Sequence, residues 1–582
     1  MSRRHETTPA GPASERALRA AAAAAAETLL NCYMREGGVW RPIPASDVPH
    51  LVEEGDAYLA VMPFPDERSM LLAGIRHLSP IHRHRFRMPV QVAMAGGAPL
   101  TVSLDTLAGM LADELGDTGL GDELTAAGTR GPDPTFLLAR VRQSVAAVGS
   151  FLQARAGEID ALWDAGPLRF IDSEQAWLLG DMAHPTAKSR WEMTPEQVDA
   201  YAPETAARFA LRWLAVAPEL VEHDSAGAQS APQMVQRLLR DDPAVDAAAL
   251  DAVLGELGDR VLLPVHPWEL EHLRAGGPLA ELLESGLAVD LGELGSAVTP
   301  TSSVATVYNA DWPWQLTFAL HVRIADGLSL AGGAELAGAV DAARRLGEAG
   351  ARASQIAPQL VVLPAPAYLA VRHGGALVEG LSVQLRENRW RSASDADVSA
   401  VAILAQDHPY GGPSRLAQIV RRLAAEDGRS EREVAREWFR RFCDVVVAQL
   451  VRLHVELGLS LAHDQGRLLL ELEGGWPARG VLRGDHRFGE PPAGSACAVE
   501  AIVPLAVVNA LGFAGLADEA VLLADLRDVL ERERERAAGP TTVLDGLLDA
   551  PTWQLRAGLR RCLEDQDDLF TTIANPLHGI AR

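Results

Sequence analysis

The chain of 582 residues carries 53 basic and 78 acidic side chains, a formal charge of −25, with 48% hydrophobic and 23% charged residues. This composition excludes wholesale disorder, and the acidic balance argues against a nucleic-acid backbone or an anionic membrane as the main partner. At roughly 100–200 residues per domain, the length corresponds to about three to five domain equivalents. Cys32, Cys443, Cys497 and Cys562 lie far apart without a C-x-x-C pair. A disulfide scaffold or zinc ribbon is therefore not expected, and a reducing cytoplasmic setting is the default. No stretch offers the roughly 18 uncharged apolar residues that a membrane span needs. Lysine occurs once, at Lys188; every other non-histidine basic side chain is arginine.

In chain order, residues 1–16 have little apolar periodicity and are expected to be mobile. The alanine-rich run 17–30 contains Arg19 and Glu27 and reads as a first helix, not as a signal peptide. Residues 1–165 are expected to be mostly helical, with one extended stretch at 89–103. Apolar residues over 136–159 recur at helical spacing behind the Gly/Pro-rich break 128–134. From 166 to 400, short extended runs alternate with helices, and Val261–Val265, 316–324, 359–363 and 381–385 read as strands. Thr194-Pro-Glu-Gln supplies an N-cap, a proline at the first helical position and a capping glutamine, predicting a short helix that Pro203 ends. From 401 to 582 the chain is predicted to be largely helical. Val434, Trp438, Phe439, Phe442, Val445, Val446, Leu450 and Leu453 mark a long helix with one buried face. A strand follows at 468–472, then a Gly-, Pro- and Arg-rich loop at 474–495 and a helix at 523–536 with a heavily charged end. The fold class is mixed α/β in three parts: 1–165, 166–400 and 401–582.

Four constellations stand out. Gly180-Asp-Met-Ala-His184-Pro185-Thr-Ala-Lys188-Ser-Arg190 gathers an imidazole, the single ammonium and a guanidinium within seven residues. Such a loop holds a polyanion or anchors itself on neighbouring carbonyls, and its residue types fit both. Pro264-Val-His266-Pro267-Trp268 ends a strand with a histidine that lines a pocket or packs structurally. Thr299-Pro-Thr-Ser302-Ser303-Val-Ala305-Thr306 is a hydroxyl-rich loop before a strand, able to cradle phosphate or simply to turn. His463-Asp-Gln465-Gly466 precedes a strand and is followed by Arg483-Gly-Asp485-His-Arg, which can bring imidazole, amide and carboxylate to one hairpin end. Nucleophile-elbow, P-loop and dinucleotide fingerprints are missing from the sequence.

In this order and at these separations the set resembles the NRPS-independent siderophore synthetases of the IucA/IucC type, from about residue 166 to the C-terminus. His184-Pro185-x-x-Lys188-x-Arg190 is similar to the second half of the family's HPxHPxxKxR signature. Pro264-Val-His266-Pro267-Trp268 resembles its PVHPW strand, Ser303-x-x-Thr306 its S-x-R-T loop, and His463-x-Gln465 its H-x-Q-N element. Arg386-Glu387-Asn388 and Asn575-Pro576-Leu577 look like further landmarks. The resemblance implies a cupped-hand fold with N-terminal, middle and FhuF-like C-terminal parts, usually as a homodimer. It also implies ATP and Mg²⁺ activating a polycarboxylic acid such as citrate as an acyl adenylate. An amine or alcohol, often a hydroxamate-bearing polyamine, then attacks to give an amide or ester.

Carried over by motif, His463 and Lys188 would be catalytic. Ser303, Thr306, Gln465, Arg323 and Asp485 would bind nucleotide, Asp485 also meeting the metal. His184, Arg190, His266 and Arg483 would hold the acid. Several expected cations are absent. The arginine of S-x-R-T is Ala305, a strand lysine falls at Thr317, and a further arginine falls at Ser329. Leu461 and Gly466 replace a glutamate and an asparagine, and the first His-Pro of HPxHP is missing. At about 1.5–3 kcal/mol per charge-assisted hydrogen bond, three losses amount to roughly 5–9 kcal/mol unless replaced. Arg323 or His321 on the strand, or Lys188 if its loop folds over the cleft, are the expected replacements. A non-catalytic family member acting as partner or regulatory subunit of a competent synthetase is the alternative.

Overall fold

The computed structural model describes residues 12–64, 69–94, 97–116, 133–325, 327–391, 396–461, 465–484, 486–488, 496–566 and 569–580. The alanine-rich run lies in the helix Pro12–Arg35, whose buried Ala17, Ala21, Leu29 and Leu30 face a neighbouring helix, Pro134–Ala154. The expectation of mobility for residues 1–16 falls mainly outside the described residues, and from Pro12 onward the chain is helical.

Beside its helices, the N-terminal part carries more extended chain than the single stretch expected at 89–103. A six-stranded antiparallel sheet runs in the order Arg41–Pro44, Tyr58–Pro63, Ser69–His77, Gln91–Met94 and Leu100–Thr101, with Arg85–Phe86 also paired to Ser69–His77. Its central strands are covered on both sides. Ala60, Met62, Leu71, Ala73 and Ile75 enter one apolar cluster, while Leu59, Val61 and Leu72 enter another. A strand buried on both faces loses the period-two alternation that betrays strands in sequence.

The middle part carries the elements expected at 194–201 and 261–265. Helix Pro195–Tyr201 opens on a full capping box between Thr194 and Gln197. The strand expected at 316–324 is in fact two. Trp314–Phe318 belongs to the six-stranded central sheet, and Leu320–Ile324 turns away to pair with Gly327–Ser329. The central sheet runs Thr299–Pro300, Thr306–Tyr308, Trp314–Phe318, Ala376–Glu387, Ala367–His373 and Val221–Ser225.

Beyond 400, Glu431–Phe442 and Ala448–Leu457 form the expected long helix, joined through a π-helical turn at Cys443–Val447. The segment 474–495 is not all loop. Trp476–Arg483 is a strand, antiparallel to Leu468–Glu473 and parallel to Leu360–Leu363. Gly480, which reads as loop, is what allows this pairing: a Cβ there would stand 2.8 Å from Leu360 Cδ1. Together with Asp397–Ala400 these strands form a sheet drawn from both sides of position 400. One apolar core likewise gathers Ile81, Ala165, Ile356 and residues up to Leu577, so packing crosses both 165 and 400. Among the described residues no helix is long and apolar enough to cross a membrane.

Candidate functional site

Strand Ala376–Glu387 alternates. Leu381, Val383 and Leu385 point into the main middle core, while Ser382, Gln384 and Arg386 point to the other face and are also buried. Register places Thr317 opposite Gln384, Gln315 opposite Arg386 and Thr306 opposite Thr317. These five side chains therefore share one polar face of the central sheet. At its far edge the same face is covered by helix Gly333–Ile356, whose Leu336 and Val340 pack on Tyr368 and Ala370. Gln315 Nε2 is sealed from solvent without a hydrogen-bond partner, an open valence suited to a polar ligand.

The hydroxyl loop forms the rim of this face. Thr301 N donates to Thr306 O (2.8 Å) and Val304 N to Thr301 O (2.9 Å). Val304 adopts φ 65° while buried, a costly conformation for a β-branched residue. Thr306 N donates to Ser303 Oγ at 3.1 Å. Ala305, where the resemblance expects arginine, is buried. Thr317, where it expects lysine, lies 2.9 Å from Thr306 Oγ1 through its own hydroxyl. Ser329 sits on the two-stranded ribbon outside the central sheet.

Arg483, the last residue of its strand, ties three segments together. Its guanidinium donates to Ser302 Oγ (3.1 Å) and Gly466 O (2.9 Å) and pairs with Glu174 Oε2 at 2.7 Å. Glu174 also accepts from Ser302 N (3.0 Å) and Ser302 Oγ (2.8 Å). Its second oxygen is sealed and without a hydrogen-bond partner. Half-buried Gln465 accepts from Ala402 N at 2.9 Å through its backbone carbonyl. The loop carrying Ser303 and Thr306, the turn at Gln465–Gly466 and Arg483 thus converge. His463 and Asp485 lie outside the described residues.

The remaining expected residues are elsewhere. Lys188 does not fold over this crevice: buried Lys188 pairs with Glu204, which Arg190 also reaches at 3.3 Å. Burial pushes the Glu204 carboxyl up, yet the two cations bring it net below its usual range. Burial outweighs the attraction of Glu204 and lowers the Lys188 ammonium. His184 Nδ1 accepts from Thr186 N at 3.3 Å and its Nε2 lies 3.7 Å from Cys562 Sγ. Arg323 pairs with Asp565 and His321 with Glu269 at 2.6 Å, so neither replaces the lost cations. The break after Phe318 removes the continuous strand face that would have carried them.

His266 is fully buried. It caps helix Pro267–Arg274 by accepting from Trp268 N at 3.2 Å. Its ring lies 5.0 Å from Tyr201, 4.8 Å from Phe209 and 6.2 Å from Phe318. Phe318 faces the apolar core, which puts His266 beneath the sheet and not in the polar crevice. Burial pushes its imidazole down to about 3. Sequence reasoning missed Gln315, Gln384 and Glu174 and treated Arg386 only as a landmark. The alternation Ser382, Gln384, Arg386 was a usable signal; Glu174 offered none.

Residues 169–406 match the IucA / IucC family, and residues 436–571 match the ferric iron reductase FhuF-like transporter family. The rhizobactin siderophore biosynthesis protein RhbC of Rhizobium meliloti is 31% identical, across 94% of this chain and 96% of its own. The chain belongs to the IucA/IucC family of siderophore synthetases. The spermidine-citrate ligase of Bacillus anthracis is 26% identical over 95% of this chain and 94% of its own. ATP-bound aerobactin synthetase IucA from Klebsiella pneumoniae superposes with a TM-score of 0.83 at 26% identity, covering 96% of this chain and 99% of that one. The petrobactin biosynthesis protein AsbB of Bacillus anthracis shares the fold, with a TM-score of 0.75 at 14% identity.

Proposed function

We propose that this IucA/IucC-family chain is an ATP-dependent ligase that joins a polycarboxylic acid such as citrate to an amine or alcohol in siderophore assembly. The observation that carries the reading is the convergence of the Ser302–Thr306 loop, the Gln465–Gly466 turn and Arg483 beside a polar sheet face bearing Gln315 and Arg386. In the first step a carboxylate oxygen attacks the α-phosphorus of ATP, forming an acyl adenylate and releasing pyrophosphate. In the second, the amine nitrogen attacks the acyl carbon, AMP leaves, and the nitrogen gives up a proton.

Ser303, Thr306, Gln465 and Arg386 hold nucleotide in this reading. Arg483, fixed by Glu174, positions the rim. By the motif resemblance His463 would be the catalytic residue and Asp485 the one to meet Mg²⁺. His184, Lys188, Arg190 and His266 act as internal supports. Preorganised donors aimed at developing negative charge are the main catalytic resource available here. The ATP bound in the Klebsiella IucA structure and the citrate ligases among the relatives support the nucleotide and the acid. The enzyme works as a cytoplasmic homodimer in this reading.

The second reading, a catalytically impaired partner subunit, is favoured by one observation: Thr306 and Thr317 bond each other where the resemblance expects lysine. Calorimetric titration with ATP·Mg²⁺ and carboxylate-dependent pyrophosphate release across a panel of polycarboxylic acids separate the two. The ligase reading expects binding and release with at least one acid. Binding without release leaves the partner reading, and no binding at millimolar nucleotide rejects adenylation.

A further inference from the structure

The polar face of the central sheet is rich in neutral oxygen and poor in fixed positive charge. Thr306 Oγ1 and Thr317 Oγ1 stand 2.9 Å apart. Ser303 Oγ lies 3.3 Å from Thr301 Oγ1 and accepts from Thr306 N at 3.1 Å. Register sets Gln384 opposite Thr317, which adds an amide carbonyl to the same face. A hydroxyl offers one hydrogen and two lone pairs. One hydrogen suffices for the Thr306–Thr317 contact, so lone pairs remain on both oxygens. Thr306 and Thr317 are half-buried and Ser303 is exposed, so this corner of the face is open to a solute.

Charge selects what such oxygens hold. ATP·Mg²⁺ retains about two negative charges, and a site that binds it needs cations beside the phosphates. Among the described residues, Arg386 brings one guanidinium to this face. The charge of Arg483 is matched by Glu174, those of Lys188 and Arg190 by Glu204, and that of Arg323 by Asp565. The carboxylate of the same strand, Glu387, alternates to the opposite face. Divalent Mg²⁺ and Ca²⁺ favour sites that include carboxylates, whereas K⁺ is held by neutral oxygens in place of its hydration shell.

We propose that K⁺ binds at the hydroxyls of Thr306 and Thr317, with Gln384 and Ser303 beside it, and bridges these oxygens to the phosphates of the nucleotide. An ammonium group and K⁺ carry the same charge at nearly the same radius. The free ion therefore supplies at Thr317 what a lysine side chain would supply through a covalent tether. The Thr306–Thr317 contact is then the resting form of a cation site, and nucleotide binding depends on the monovalent salt. This inference deepens the ligase reading and rests on it.

The test is calorimetric titration of ATP·Mg²⁺ into the full chain in KCl, NH₄Cl, NaCl and N-methylglucamine chloride, each at about 0.1 M so that ionic strength is constant. Affinity should be about tenfold or more higher in KCl than in N-methylglucamine chloride, with NH₄Cl matching KCl and NaCl giving less. Thr317→Lys should bind in N-methylglucamine chloride about as tightly as the parent does in KCl, and gain nothing further from K⁺. Thr317→Val keeps the shape but removes the oxygen, and should bind weakly in every salt. A threonine that served only packing would not make affinity depend on the cation. Equal affinity in KCl and N-methylglucamine chloride, an equal gain with Na⁺, or a K⁺ response undiminished in both variants overturns the proposal and leaves the ligase reading standing. Absence of nucleotide binding in every salt removes the ligase reading, and this proposal with it.

Discussion

Arg483 and Glu174 depend on each other. Glu174 is fully buried as a side chain and Arg483 is nearly so, so removing the guanidinium strands a carboxylate in the interior. Arg483→Ala is expected to cost about 3–5 kcal/mol, read as a lower urea midpoint with unchanged slope. His266 supplies a pH dependence. Its folded imidazole is held neutral near 3 against an ordinary 6.5. The stability it contributes is therefore complete above about pH 6.5 and falls as pH drops toward 3, at up to about 1.4 kcal/mol per pH unit. His84, pushed to about 4 by burial, adds to the same slope. His266→Asn keeps a capping acceptor and should flatten the fall between pH 6.5 and 4 in denaturant unfolding. At this scale the sequence displayed the right residue types but not their depth. His184, Lys188, Arg190 and His266 are what an anion pocket needs, yet Glu204, Cys562 and an aromatic cage occupy them. Such partners lie distant in the chain or carry no motif.

Elements were legible where one face meets water or where an end is capped. Thr194 and Gln197 announced helix Pro195–Tyr201, and the apolar steps from Val434 to Leu453 announced the long helix. Strands buried on both faces, such as Tyr58–Pro63, gave continuous apolar runs without alternation. Trp476–Arg483 was concealed by its composition, since Gly480 reads as a loop residue although it serves close packing. Gly480→Ala should cost about 1–3 kcal/mol by crowding Leu360 and the neighbouring Val446, visible as a lower thermal midpoint. Alternation alone exposed the polar side of Ala376–Glu387, which is why Gln384 and Arg386 were recoverable in principle.

The whole molecule is closed by contacts that no local pattern announces. Glu36, at the end of the first helix, accepts from the backbone N–H groups of Gly558 (2.7 Å), Leu559 (3.0 Å) and Arg560 (2.8 Å). It thereby caps helix Leu559–Glu564 more than five hundred residues away. Glu36→Ala leaves two buried amides and a partly buried one unmet and is expected to cost about 3–5 kcal/mol, with faster amide exchange in that helix. The family resemblance conveyed the architecture and the order of the motifs; only the folded chain shows that the 303 and 465 segments meet at Arg483 while the 184 segment braces Glu204. Hydrogen–deuterium exchange with and without ATP·Mg²⁺ tests the crevice most directly. The account predicts slowed exchange concentrated in residues 299–308, 465–473 and 480–484. Slowing confined to other segments, or none at saturating nucleotide, would contradict it.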